Sequence, residues 1–171
     1  SQSLLRSGQD ILRLVPITGP VPGGREIAWT KAAPTARETS DSLAARLRSA
    51  GQRVVVNIGG TGEVVNAINV NPHLIAPDAW IPSLVRVHAE RLGELFPPDS
   101  VDTILSYRLP PNTLNWSVVL QGAHKVLKPG APITLRFQGA GNDARAILLS
   151  FQHLRFRHVK NLSASELEAI K

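Results

Sequence analysis

The sequence predicts an α/β fold in three layers: a doubly wound, mostly parallel sheet with a β-hairpin appended at its N-terminus. Three observations predict it. Short β-branched runs alternate with segments of helical period over the last three-quarters of the chain. One run, Val54 to Ile58, is apolar except at Asn57, as a strand reads when a parallel sheet buries it on both faces. That run ends in Gly59-Gly60-Thr61-Gly62, where the missing Cβ atoms let the backbone turn sharply and approach a ligand. In open α/β sheets, ligands bind in the crevice beyond the carboxyl ends of the strands.

Taken in order, Ile11 to Ile17 and Arg25 to Trp29 are strand candidates around the turn-rich Thr18–Gly24, a hairpin with a long loop. Thr39, Ser40 or Asp41 can cap a helix running to about Ser49, with Gly51 as its stop. Val54 to Ile58 follows at once. Ala67 to Asn71 then reads as a second strand, closed by Pro72. A parallel crossover normally needs about a dozen residues and a helix. Either that helix is nearly deleted, or Ile68–Asn71 is not a neighbouring parallel strand. Ser83 to His88 and Val101 to Tyr107 are further strands, with a short helix or turn at Glu90 to Phe96. Asn115 caps a helix to about Leu127, and Lys128-Pro129-Gly130 stops it. Ile133 to Gln138 is a strand, and Asn142 or Asp143 caps a helix to about His153. Arg155 to Leu162 is a last strand. Ser163-Ala164-Ser165-Glu166 is a capping box for a final short helix. The whole is a Rossmann-like domain over residues 41–171, with residues 1–40 as hairpin and linker.

The chain has 171 residues, a net charge of +6 and a pI near 10.5. That balance favours a polyanionic partner such as nucleic acid or a membrane surface. There is no cysteine, which excludes disulfides, thiolate metal sites and a cysteine nucleophile. No apolar run approaches the roughly 20 residues that span a bilayer. His88, His124 and His153 are scattered, with no metal-ligand spacing. The chain lacks methionine and opens at Ser1, so it is expected to be a processed or excised piece of a longer protein.

Three stretches together resemble the class I S-adenosylmethionine-dependent methyltransferase superfamily. Val54–Gly62 resembles its first motif, an apolar strand running into glycines. Val101-Asp102-Thr103-Ile104-Leu105-Ser106 resembles its fourth strand. Ala123-His124-Lys125-Val126-Leu127-Lys128-Pro129-Gly130 resembles the helix-to-turn segment before its fifth strand. Order and spacing agree from about Arg53 to Gln138. The resemblance implies S-adenosyl-L-methionine as cofactor. Gly59, Gly60, Thr61 and Gly62 would cradle its methionine moiety, Asn69 or Asn71 its ribose, and His88 with Glu90 its adenine. Three anchors depart from the family pattern. Asn57 stands where the family places an acid, Asn69 and Asn71 stand where a second acid takes the ribose hydroxyls, and His88 stands where a third often lies. An amide accepts a hydroxyl's hydrogen bond without the charge-assisted gain. The loop after the fourth strand holds Tyr107, Arg108, Pro110, Pro111 and Asn112, and the resemblance places substrate there. Tyr107, Arg108 and His88 are the candidate catalytic residues.

The densest basic stretch, His153 to Lys160, sets Arg155, Arg157 and Lys160 beside Phe156 as a candidate nucleic-acid contact. The structural alternative is an edge strand protected from aggregation by its charges. Three function classes stand open. One is a methyltransferase acting on nucleic acid or a small molecule. The second is a toxin or effector domain of a larger delivered bacterial protein, using the same fold on RNA, for example as a tRNA nuclease, with an acidic immunity partner. The third is a binding module. Each acts in the cytoplasm, the second after secretion within the larger protein.

Overall fold

Strand pairing, rather than any helix, sets the frame of the molecule. The structure, a computed structural model, describes residues 15–16, 29–30, 33–72, 80–108, 113–137, 143–163 and 165–171. In chain order these form β1 (Val15–Pro16), β2 (Trp29–Thr30), α1 (Ala36–Ser49), β3 (Val55–Ile58), β4 (Ile68–Val70) and β5 (Leu84–Val85). A 3₁₀ turn (Ala89–Arg91) runs into α2 (Leu92–Leu95). Then come β6 (Thr103–Ser106), α3 (Trp116–Val126), β7 (Pro132–Arg136), α4 (Asp143–His153), β8 (Arg157–Ser163) and β9 (Glu166–Ile170).

Seven strands make one sheet in the order β5-β4-β3-β6-β7-β9-β8. The first five are parallel, and β9 runs antiparallel to both β7 and β8. The chain winds outward from β3 to β5, then returns to place β6 against the other side of β3. The strand order therefore reverses between β3 and β6, and this is the doubly wound switch point.

Every second residue of the strands builds one face. Val56, Ile58, Ile68, Val70, Val85, Ile104, Ile133, Leu135, Leu167 and Ala169 are all buried there. The helices touch one another in chain order, α1 on α2, α2 on α3 and α3 on α4. Ala44, Leu92, Leu95, Val119, Leu120, Ala123, Ile147 and Phe151 join those strand residues in a single core. The other face carries Val55, Asn57, Asn69, Thr103, Leu105 and Thr134. Over β3 and β4 it is covered by irregular segments rather than by a described helix. The Pro82 carbonyl accepts from Asn69 Nδ2 at 2.7 Å, and the Pro82 ring lies 2.9 Å from where a Cβ on Gly62 would stand.

The short crossover is resolved by the first of its two alternatives. β3 and β4 are parallel neighbours, with Asn57 opposite Asn69, and turns replace the helix between them. Two other expectations are corrected. The capping box at Ser163–Glu166 starts no helix, because residues 166–170 form β9. Leu167 and Ala169 alternate with more exposed neighbours, and pairing along β7 gives these residues a ladder of partners that one helical turn would not. Among the described residues β1 and β2 pair antiparallel with each other, and β9 supplies the antiparallel strand of the larger sheet. The first helix is capped earlier than Thr39, by Thr35, which bonds reciprocally with Glu38.

Candidate functional site

The site grows from the carboxyl end of β3. Gly59 has φ +70°, a conformation that a side chain disfavours, and its N–H bonds the Val70 carbonyl at 2.8 Å. Gly60 serves a different need. A Cβ there would lie 2.0 Å from Asn69 Oδ1 and 2.8 Å from Asn57 Nδ2. Two fully buried amides from adjacent strands thus press against the main chain where the sequence led us to expect a ligand. The Gly60 carbonyl accepts from Asn71 Nδ2 at 3.3 Å.

A carboxylate returns to Asn57 from within the bend. Glu63 accepts from Asn57 Nδ2, from the Thr61 hydroxyl at 2.6 Å and from the Thr61 N–H at 3.2 Å. Arg108, at the end of β6, brings its Nε to 3.7 Å from the same group. Burial pushes the Glu63 carboxyl up, but the Thr61 and Asn57 bonds and the Arg108 charge outweigh it and hold it below the ordinary range. Glu63 was missed from the sequence. The family pattern looks for an acid at position 57, and the amide there meets one six residues further on.

Beside Gly59 a cavity of about 130 Å³ opens at the carboxyl ends of β3 and β4. Ile58, Val70, Pro72, Ala89 and Leu114 give it apolar walls, and Asn71, His88 and Thr113 supply its polar groups. Of the expected cofactor residues, Gly59, Asn71 and His88 meet here. Asn57, Asn69 and Gly60 lie packed together, Thr61 binds Glu63, and Gly62 lies against Pro82. Glu90 is engaged elsewhere, since its carboxylate accepts the Asn115 N–H at 3.2 Å, at the start of α3. Thr113 and Leu114 gave no signal in the sequence beyond standing just before a helix cap.

The remaining candidates separate. Tyr107 turns toward β7, where Arg136 Cζ stands 4.2 Å from its ring centroid. Arg136 in turn holds Glu166 at 2.9 Å. Arg108 turns the other way, toward Glu63. Pro110, Pro111 and Asn112 lie outside the described residues. The basic stretch ends up far from all of these. Arg157 pairs with Ile170, which faces Pro132 at the start of β7, so Arg155 and Arg157 sit at the amino edge of the parallel strands. β8 is an edge strand, as the structural alternative had it. Its alternation is broken by irregular register and by positive φ at His158, and Arg155, just before the strand, also has positive φ. Arg157 donates to the Lys171 carbonyl at 2.8 Å, and Lys160 pairs with Glu168 at 3.4 Å. Among the described residues no cluster of three His, Asp or Glu could hold a metal ion, and no helix is long and apolar enough to cross a membrane.

No family model matches the chain, and no curated protein matches it in sequence. Solved structures do match in shape. A SAM-dependent methyltransferase from Archaeoglobus fulgidus is 18% identical with a TM-score of 0.51, covering 71% of each chain. The aminoglycoside resistance methyltransferase NpmB1 is 13% identical with a TM-score of 0.52, covering 86% of this chain and 96% of its own. A protein from Corynebacterium glutamicum is 14% identical with a TM-score of 0.50, covering 80% of this chain and 79% of its own. The seven-stranded, mostly parallel sheet is thus a Rossmann-like α/β fold similar in shape to those of solved methyltransferases.

Proposed function

We propose that this is a methyltransferase domain that binds S-adenosylmethionine in the cavity beside Gly59 and acts on nucleic acid. The observation that carries the reading is the place of that cavity: the carboxyl ends of β3 and β4, next to the switch point, where this class of sheet binds ligands. Its residues fit the nucleoside part of the cofactor. Apolar walls from Ile58, Val70 and Leu114 suit a planar base. Asn71 and Thr113 offer uncharged partners to hydroxyls, and a neutral His88 ring can accept from an amine. When bound, the cofactor supplies an electrophilic methyl group.

The chain's own contribution is alignment. Methyl transfer depends chiefly on holding the acceptor atom in line with that group. Tyr107 and Arg108 stand at the end of β6, across the switch point from the cavity, and face substrate in this reading. Ser106 Oγ donates to the Ile58 carbonyl at 3.2 Å and ties the two strand ends together.

Calorimetry with S-adenosylhomocysteine tests the proposal. Saturable binding is expected, weakened roughly ten-fold in Asn71→Ala by loss of one buried hydrogen bond. Folded protein that gives no heat at high ligand concentration overturns it. With binding established, transfer of labelled methyl to RNA but not to protein is the expected activity.

A further inference from the structure

Tyr107, Arg136 and Glu166 form an array that the cavity does not use. Glu166 Oε2 takes both Nε and an Nη of Arg136 at 2.9 Å. So fastened, the guanidinium lies over the Tyr107 ring at 4.2 Å from its centroid. Three consecutive strands of the sheet, β6, β7 and β9, each contribute one member at the carboxyl edge. The Arg136 side chain is still 51% exposed, so the array presents itself to solvent. On the other flank of Tyr107, the Arg108 side chain is 62% exposed and reaches Glu63 only at 3.7 Å.

We infer that Tyr107 and Arg136 form a stacking platform for an unpaired nucleobase of a single-stranded RNA, with Arg108 taking an adjoining phosphate. The inference rests on the function proposed above and names the surface by which it would hold substrate. A guanidinium clamped by a carboxylate cannot sweep through solvent, so little freedom is left to lose when a base lies on it. Arginine planes and aromatic rings are the surfaces on which unstacked RNA bases rest. A phosphate competes well for Arg108, because a pair at 3.7 Å beside water is weak. Arg155 and Arg157 occupy the opposite edge of the sheet from this platform.

The chain contains one tyrosine, so protein labelled with 3-fluorotyrosine gives one fluorine resonance. Titration with a short single-stranded RNA should shift that resonance along the same curve that fluorescence anisotropy gives for binding. Arg136→Gln and Tyr107→Ala should each weaken binding roughly ten-fold, within the range measured for base stacking. Tyr107→Phe, which keeps the ring, should hold most of the affinity. Arg155→Gln with Arg157→Gln should stay within about two-fold at moderate salt. A fluorine signal unmoved by bound RNA overturns the inference, as does affinity carried by Arg155 and Arg157 instead. S-adenosylhomocysteine binding, followed in the same samples, separates the two proposals. Cofactor bound without RNA binding sinks only the platform, whereas failure of the cofactor sinks the function on which it rests.

Discussion

At the scale of single residues, the hydrogen at Gly60 decides how β3 and β4 meet. A methyl carbon in its place would stand 2.0 Å from Asn69 Oδ1. Asn69 cannot swing away cheaply, since its amide nitrogen holds the Pro82 carbonyl at 2.7 Å. Gly60→Ala should therefore cost about 2 kcal/mol in urea unfolding, as overpacking does. If the clash is the cause, Gly60→Ala with Asn69→Ala should lose less than the two single variants summed. Strict additivity would show that Gly60 matters for some other reason. Positions 57, 60 and 69 were all legible in the sequence as unusual, because amides interrupt apolar strands beside a glycine run. Their mutual contact was not. Local periodicity places a residue on a face of a strand, but it does not say which strand lies alongside. Glu63 was hidden for the same reason: the direction the chain takes after three glycines is set by what it packs on.

At the scale of elements, one four-residue pattern has two outcomes. Thr35-x-x-Glu38 and Ser163-x-x-Glu166 both read as capping boxes. At Thr35 the box forms: the Glu38 N–H reaches the Thr35 hydroxyl at 3.1 Å, and the Thr35 N–H reaches Glu38 Oε1 at 2.8 Å. The later candidates bond backward, Thr39 to the Thr35 carbonyl and Ser40 to the Ala36 carbonyl, as such residues do inside a helix. Thr35→Ala should cost about 1 kcal/mol, a fall of roughly 2–4 °C in melting temperature for a chain of this size. Ser40→Ala, which removes no cap, should change it by less; equal losses would refute the assignment. At Ser163 the same letters lead into a segment whose burial alternates as a strand's does, and the side of β7 away from β6 offers it a full ladder. Strand and helix positions from Val54 to His153 were legible because each carries its own period. The segment after Ser163 was not, because there a neighbour's open edge outweighs a local motif.

At the scale of the whole molecule, three titrating groups pull stability in one direction with pH. His124, edge-on to Phe156 at 5.0 Å, is held below the ordinary histidine range by burial first and then by Lys171, with Asp99 opposing. Asp102 bonds the Val54 N–H and Lys128, both at 2.8 Å, which with Arg53 outweighs its burial and lowers its carboxyl. Glu63 is lowered in the same way by Thr61, Asn57 and Arg108. In each case the unfolded chain binds a proton more readily than the folded one, so stability rises with pH through the titration and falls on acidification. The histidine should act first, from about pH 6.5 downward, and the carboxylates below about pH 4.5. Two successive losses of urea midpoint are expected between about pH 8 and pH 3. Repulsion within a chain of net charge +6 pushes the same way, so the wild-type slope alone proves little. His124→Gln should flatten the upper step and leave the lower one, while Glu63→Gln and Asp102→Asn should flatten only the lower. An upper step that survives in His124→Gln would assign it to general charge repulsion. A lower step untouched by both carboxyl variants would mean that neither the glycine bend nor the β3–β6 tie depends on its charge.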